Sequence, residues 1–194
     1  SVMNSDPVAG RPRLDLRAVW SILVIAAAWT VLTRPWLSGT YAVPWDAEAH
    51  FRAQMAFLAH SLHAGEGIAW NPYIFAGWAQ ISDPQSLIFA PAFLVLALLV
   101  PDPGAVALDA TVFAQLGLGA LALLLWFRDR GWHAAGGTVA AIAFAFGGSA
   151  AWRIQHTGQV LSFGWIPIVL FLLGRMLDRR SIGWGFLAGI AAGF

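Results

Sequence analysis

Six stretches of this chain read as almost unbroken hydrocarbon, at 18–33, 85–100, 108–127, 134–152, 160–177 and 182–194. A helix needs roughly 20 predominantly apolar residues to cross a bilayer, with a range of about 17–25. Runs of this length recur throughout the 194 residues and leave little sequence from which to build a water-facing surface. The expected fold is therefore all-α, a polytopic bundle of transmembrane helices. Charged residues make up 11% of the chain, against about 25% in soluble domains. The mean hydropathy is +0.68, and the expected environment is a lipid bilayer.

Several function classes fall away on composition. The net charge is +1, with no basic surplus to suggest nucleic acid as a partner. The eleven basic residues are all arginine. There is no cysteine, which excludes disulfides, thiolate catalysis and Cys-based metal sites. The eleven tryptophans fit an aromatic belt at the membrane interfaces. Neither a 20–50-residue repeat nor a glycine-rich phosphate loop is visible.

The first 17 residues, SVMNSDPVAGRPRLDLR, are polar and basic and read as a cytoplasmic tail. No small-residue cleavage site follows the first apolar run, so 18–33 is expected to be a retained span. The chain stops inside an apolar segment, FLAGIAAGF, and is expected to be the N-terminal part of a longer, truncated protein.

The run at 85–100 is short and hemmed by Pro84, Pro91, Pro101 and Pro103. Arginine placement decides whether it crosses, because cytoplasmic loops are enriched in Lys and Arg. With the N-terminus inside and 85–100 not crossing, Arg11, Arg13, Arg17, Arg128, Arg130, Arg175, Arg179 and Arg180 lie inside. Only Arg34, Arg52 and Arg153 then lie outside. If it crosses, the inside set shrinks to Arg11, Arg13, Arg17 and Arg153. The first arrangement makes 85–100 an interfacial or re-entrant helix and 34–84 an outer loop, with a true but short span at 85–100 as the alternative. The remaining runs, 108–127, 134–152, 160–177 and 182–194, then follow as spans. Within 134–152 the spacing of Ala141, Ala145 and Ser149 suits close helix approach.

The outer loop carries the chemistry. Residues 46–63 read as an amphipathic helix, with Phe51, Met55, Leu58 and Leu62 forming an apolar stripe expected to face the acyl boundary. Asp46 and His50 share one face; Glu48 and Arg52 share another. Glu48–Arg52 reads either as a surface ion pair or as part of a site. Asp46 follows Pro44 and Trp45, where an acid can cap a helix N-terminus. Alternatively it points into a membrane-proximal cavity, because acids near a bilayer are costly and tend to be functional. His60 and His63 lie a turn apart without a carboxylate or cysteine at ligand spacing, so no metal site is expected there. Arg153 and His156, in RIQHTGQ, return to the same side, where guanidinium suits a phosphate headgroup. Trp70 and Asn71 open the turn-rich WNPYIFAGW, either a belt element or a sugar platform.

In order and spacing, Asp46, the helix to Leu62, Gly65, WNPYIFAGW and DPQSLIFAP resemble the first periplasmic loop of bacterial YfhO-like membrane proteins. These belong to the C-type glycosyltransferase superfamily. His156, Trp165 and Pro167 resemble that family's Gly-His … Trp-x-Pro span. The resemblance covers about 17–194. It implies a multi-pass protein of the bacterial inner membrane with interface-lying helices in the first periplasmic loop. It also implies a sugar donor carried on a polyprenyl phosphate and transferred, with inversion, to an acceptor. Asp46 would be the catalytic general base, with Arg153 and His156 near the lipid phosphate and Arg52 a lesser candidate. Glu48, His50, Trp70 and Asn71 would complete the substrate surface. The chain departs from the family where Ala47 separates Asp46 from Glu48, and where Ile154, Gln155 and His156 stand in place of an acid. No cofactor is expected, and the motif lends no support to a divalent metal. The rival expectation is a non-catalytic scaffold or accessory subunit that docks through the loop. A transporter is disfavoured, since no ionisable residue stands near the centre of a span, Asp109 lying close to an end.

Overall fold

The computed structural model describes residues 16–194. The expected cytoplasmic tail lies outside the described residues up to residue 15, and with it Arg11 and Arg13 of the arginine count. The described chain is all-helical, 75% helix with no strand. Its α-helices are α1 (Leu16–Leu37), α2 (Arg52–Ala64), α3 (Pro91–Leu99), α4 (Ala105–Asp129), α5 (Ala134–Phe146), α6 (Gly148–Arg153), α7 (Thr157–Arg179) and α8 (Ile182–Ala192). Among the described residues, four segments are long and apolar enough to cross a membrane: Val19–Leu37, Ala105–Asp129, Ala134–Arg153 and Thr157–Arg179. At 1.5 Å per residue, α4 is about 38 Å long and α7 about 35 Å. Both exceed the roughly 30 Å hydrocarbon core.

Several expected boundaries move. α1 runs on past Arg34 and Pro35 to Leu37. The expected spans 108–127 and 160–177 lengthen at both ends, which moves Asp109 from the end of its span to the second turn of α4. The run at 182–194 gives an 11-residue helix, about 17 Å long. The run at 85–100 is broken: a 3-10 turn over Pro84–Ser86 and a non-helical stretch precede its one α-helix. Only Pro91–Leu99 is an α-helix, and its length of about 14 Å is half a bilayer.

The segment expected as one span at 134–152 is two helices. Gly147 is extended, with φ −69° and ψ 171°, and a Cβ there would lie 2.1 Å from the Ala143 carbonyl oxygen. Only glycine fits that crowding. The break also changes the face of the small-residue row. Ala141 and Ala145 are buried, Ser149 is exposed, and Ala150 is buried in its place.

α4 is the centre of the bundle, packed against α5 and α7; α8 lies on α7, and α1 lies on α5 and α4. The α4–α7 approach is close enough that a Cβ on Gly119 would meet the Gly164 carbonyl oxygen at 2.8 Å. Aromatic contacts lock the remaining helices. Trp29 of α1 meets Phe113 of α4 at 6.3 Å and Phe146 of α5 at 5.3 Å, both edge-on. Phe144 stacks on Phe163 at 4.6 Å.

The amphipathic helix expected over 46–63 begins instead with a π-helical turn, Ala47–Phe51, that passes into α2. Its stripe turns inward. Phe51, Met55 and Leu58 are buried, and Leu62 packs beside them, in one core with Phe93, Leu96 and Ala97 of α3. The sequence period identifies the buried face correctly, but what covers that face is protein: α3 satisfies it in place of the acyl boundary.

Beneath α2, Gln80 donates from Nε2 to Gln54 Oε1. Ser86 Oγ donates to the Gln80 carbonyl at 2.9 Å. The first bond fastens the 79–86 segment to the helix, and the second closes the segment on itself.

Candidate functional site

The local backbone sets Asp46 apart. Trp45 holds φ 60°, a left-handed conformation that costs a non-glycine residue roughly 1–3 kcal/mol and persists where surroundings impose it. That turn separates Pro44 from the π-helical turn. π-turns widen a helix and recur at functional sites. Asp46 occupies the N-cap position, yet its side chain caps nothing. Instead its Oδ2 lies 2.8 Å from His156 Nδ1, and the His156 N–H donates to it across 110 residues of sequence. Its Oδ1 has no hydrogen-bond partner among the described residues.

His156 is fixed by its own backbone at the mouth of α7. Its N–H donates to the Arg153 carbonyl at 2.8 Å, and its carbonyl accepts from Val160 at 3.1 Å. The bond to Asp46 therefore ties the segment that follows α1 to the first turn of α7. A cleft of about 830 Å³ opens beside this pair. Its polar lining is Asp46, His50, Gln85, His156, Gln159 and Ser162; Phe51, Leu87, Phe163 and Ile166 supply the apolar wall. The cleft falls within the range of small-ligand sites, about 300–1,000 Å³ with a mostly apolar lining. Below it, Ile166, Leu170 and Leu173 continue along one exposed face of α7. The apolar wall thus runs without a step onto the flank of a candidate spanning helix.

His50 stands in the π-turn, edge-on to Phe51 at 5.0 Å. Its Nε2 is buried with no hydrogen-bond partner among the described residues. A buried imidazole nitrogen left unpaired is uncommon, and this one belongs to a cleft-lining residue.

The other expected site residues lie elsewhere. Glu48 and Arg52 pair with each other at 2.6 Å, 41% and 47% exposed, and neither lines the cleft. They are a surface ion pair, so neither is free to hold a substrate there. Trp70 and Asn71 also stand apart. Asn71 and Trp78 exchange two backbone bonds of 2.8 Å, and Asn71 Oδ1 accepts from Tyr73 N–H at 3.0 Å. The Trp70 indole lies over Gly77, where a Cβ would meet it at 2.3 Å. Both residues build the turn. What that turn presents are Tyr73 and Phe75, 81% and 83% exposed. Arg153 reaches the cleft at one remove, donating to Gln159 Oε1 at 3.0 Å.

Sequence reasoning passed over Gln85, Gln159, Ser162 and Ile166. The last three had a legible signal, since 159, 162 and 166 fall on one helical face beginning a turn after His156. Gln85 had none, because it sits in a run read as apolar. Among the described residues no group of three His, Asp or Glu side chains gathers as metal ligands. Searches against family models, curated proteins and solved structures find no match to this chain.

Proposed function

We propose that the chain is a membrane glycosyltransferase, acting on a sugar carried by a polyprenyl phosphate, with Asp46 as general base on the extracytoplasmic side of a bacterial inner membrane. The reading rests on one observation: a half-exposed carboxylate, oriented by a histidine, in a cleft whose apolar wall continues onto the exposed face of a candidate spanning helix. A donor with a sugar headgroup and a polyprenyl tail needs both parts of that surface. Arg128, Arg130, Arg175, Arg179 and Arg180 lie at the C-terminal ends of α4 and α7 and the connections beyond them, opposite the cleft. The positive-inside tendency then puts that end in the cytoplasm and Asp46 outside.

In chemical outline, the acceptor hydroxyl oxygen attacks the anomeric carbon, and its proton passes to the free Oδ1 of Asp46. The bond from the anomeric carbon to the phosphate oxygen breaks, and the electron pair leaves with the lipid phosphate. His156 Nδ1–H holds the second carboxylate oxygen so that Oδ1 keeps its aim. No arginine lines the cleft. His50 and His156, with Arg153 behind Gln159, are the groups available to receive charge on the departing phosphate.

A non-catalytic docking scaffold is favoured by a different feature, the exposed Tyr73 and Phe75 on their rigid turn, and it makes no use of the cleft. One assay separates the two. Sugar transfer from a polyprenyl-phosphate donor is measured for the wild-type chain and for Asp46→Asn, with Phe75→Ser as control. Catalysis by Asp46 requires a loss of about 10²–10⁴-fold in Asp46→Asn and little change in Phe75→Ser. Undiminished transfer by Asp46→Asn removes the carboxylate from the reaction.

A further inference from the structure

Asp109 is a carboxylate that the proposed chemistry does not touch. It sits in the second turn of α4, 2% exposed, and lines no part of the Asp46 cleft. Among the described residues it has no basic side chain within ion-pair distance. Burying a carboxylate without a cation costs several kcal/mol, so a neutral side chain of similar volume would serve packing better. Its one hydrogen bond in the described structure comes from the backbone: Val43 N–H donates to Oδ2 at 3.1 Å, across 66 residues.

Val43 is the pivot of the segment that delivers Asp46. Tyr41 N–H is anchored to the Pro35 carbonyl at 3.0 Å, and regular helical bonding resumes only where Ala49 N–H reaches the Trp45 carbonyl at 2.8 Å. Between those two points Val43 N–H is the backbone donor held from outside the segment, and Pro44 has no N–H to offer. Trp45, with its left-handed backbone, comes next. The strained turn needs a fixed support before it, and Asp109 on the central helix supplies one.

We infer that Asp109 is a positioning residue, whose buried carboxylate clamps Val43 N–H and thereby holds Asp46 against His156. The inference builds on the proposed transfer reaction, but the placement of Asp46 can be measured without it. Because the chain has no cysteine, Asp46→Cys and His156→Cys introduce the only thiols. Their cross-linking by a short bifunctional thiosulfonate is timed in lipid nanodiscs. Three backgrounds are compared: native Asp109, Asp109→Ala, and Asp109→Asn, whose amide oxygen can still accept from Val43.

Asp109→Ala is expected to slow cross-linking severalfold, and Asp109→Asn to restore the native rate. In the chain that keeps Asp46 and His156, Asp109→Ala lowers kcat about tenfold to a hundredfold, the scale on which small misplacements act. KM stays within about twofold, since the cleft lining is unaltered, and Asp109→Asn recovers most of kcat. Equal cross-linking rates in all three backgrounds overturn the clamp. Slowed cross-linking in a protein whose native form transfers no sugar leaves the clamp standing and removes the transferase reading. Should Asp109→Ala fail to give monodisperse protein, Val43→Pro deletes the donated N–H and must slow cross-linking in the same way; an unchanged rate there also overturns the clamp.

Discussion

A carboxylate with one oxygen held by an imidazole and the other free is oriented for proton transfer, whereas one that caps a helix is spent on its own backbone. Asp46 is of the first kind, and the distinction predicts how its neighbours behave. His156→Ala should lower kcat by about tenfold to a hundredfold, measured as steady-state transfer, while His156→Gln, which keeps an N–H donor, should recover part of it. Replacing Glu48 and Arg52 together with glutamine should leave transfer within about twofold and change stability by less than about 0.5 kcal/mol in chemical unfolding, as for other exposed pairs. Sequence alone made Asp46 and His156 conspicuous, because charge is scarce in this chain. It could not separate them from Glu48 and Arg52. Spacing puts Asp46, Glu48 and Arg52 on one helix, and only the fold decides which of its faces meets His156 and opens onto a cavity. Asn71 shows the same limit: a polar residue between aromatics reads as a ligand for sugar, yet its side chain closes a turn.

At the scale of elements, the apolar runs and the arginines beyond them located the helices well, since burying backbone in lipid leaves few alternatives. The break at Gly147 was not legible. The stretch from 134 to 152 holds four glycines, and the one that interrupts the helix is chosen by the nearness of the Ala143 carbonyl oxygen. The inward turn of the Phe51–Met55–Leu58 stripe was hidden for a related reason, because periodicity names a face without naming its cover. The tight α4–α7 seam gives a stability prediction. A Cβ on Gly164 would fall 2.7 Å from Gln115 Cγ and 2.9 Å from its carbonyl oxygen. Gly164→Val should therefore destabilise the chain by about 1–3 kcal/mol or more, visible as a lowered melting temperature in detergent. Gly189→Ala, on α8 where a Cβ meets nothing within 4 Å, should be neutral in the same assay.

Across the whole molecule, the two ends of the bundle are built differently. One carries Asp46, the cleft and the aromatic turn. The other is fastened by ion pairs: Arg175 to Asp129 at 2.6 and 2.9 Å and Arg130 to Asp178 at 3.2 Å. The asymmetry in arginine predicts sidedness, which single cysteines in this cysteine-free chain can report. Glu66→Cys should react with a membrane-impermeant maleimide on intact spheroplasts, and Arg179→Cys only after the membrane is opened. The reverse labelling would place Asp46 in the cytoplasm. The claim on which the account depends is that the Asp46–His156 cleft receives a polyprenyl-linked sugar from the lipid side. It is tested most directly by irradiating the protein with a photoreactive polyprenyl-phosphate sugar analogue and mapping the adducts by mass spectrometry. The account predicts adducts on the cleft wall and the α7 face below it, at Leu87, Phe163, Ile166 and Leu170, competed away by unlabelled donor. Adducts confined to other faces of the bundle, or insensitive to competing donor, would contradict it.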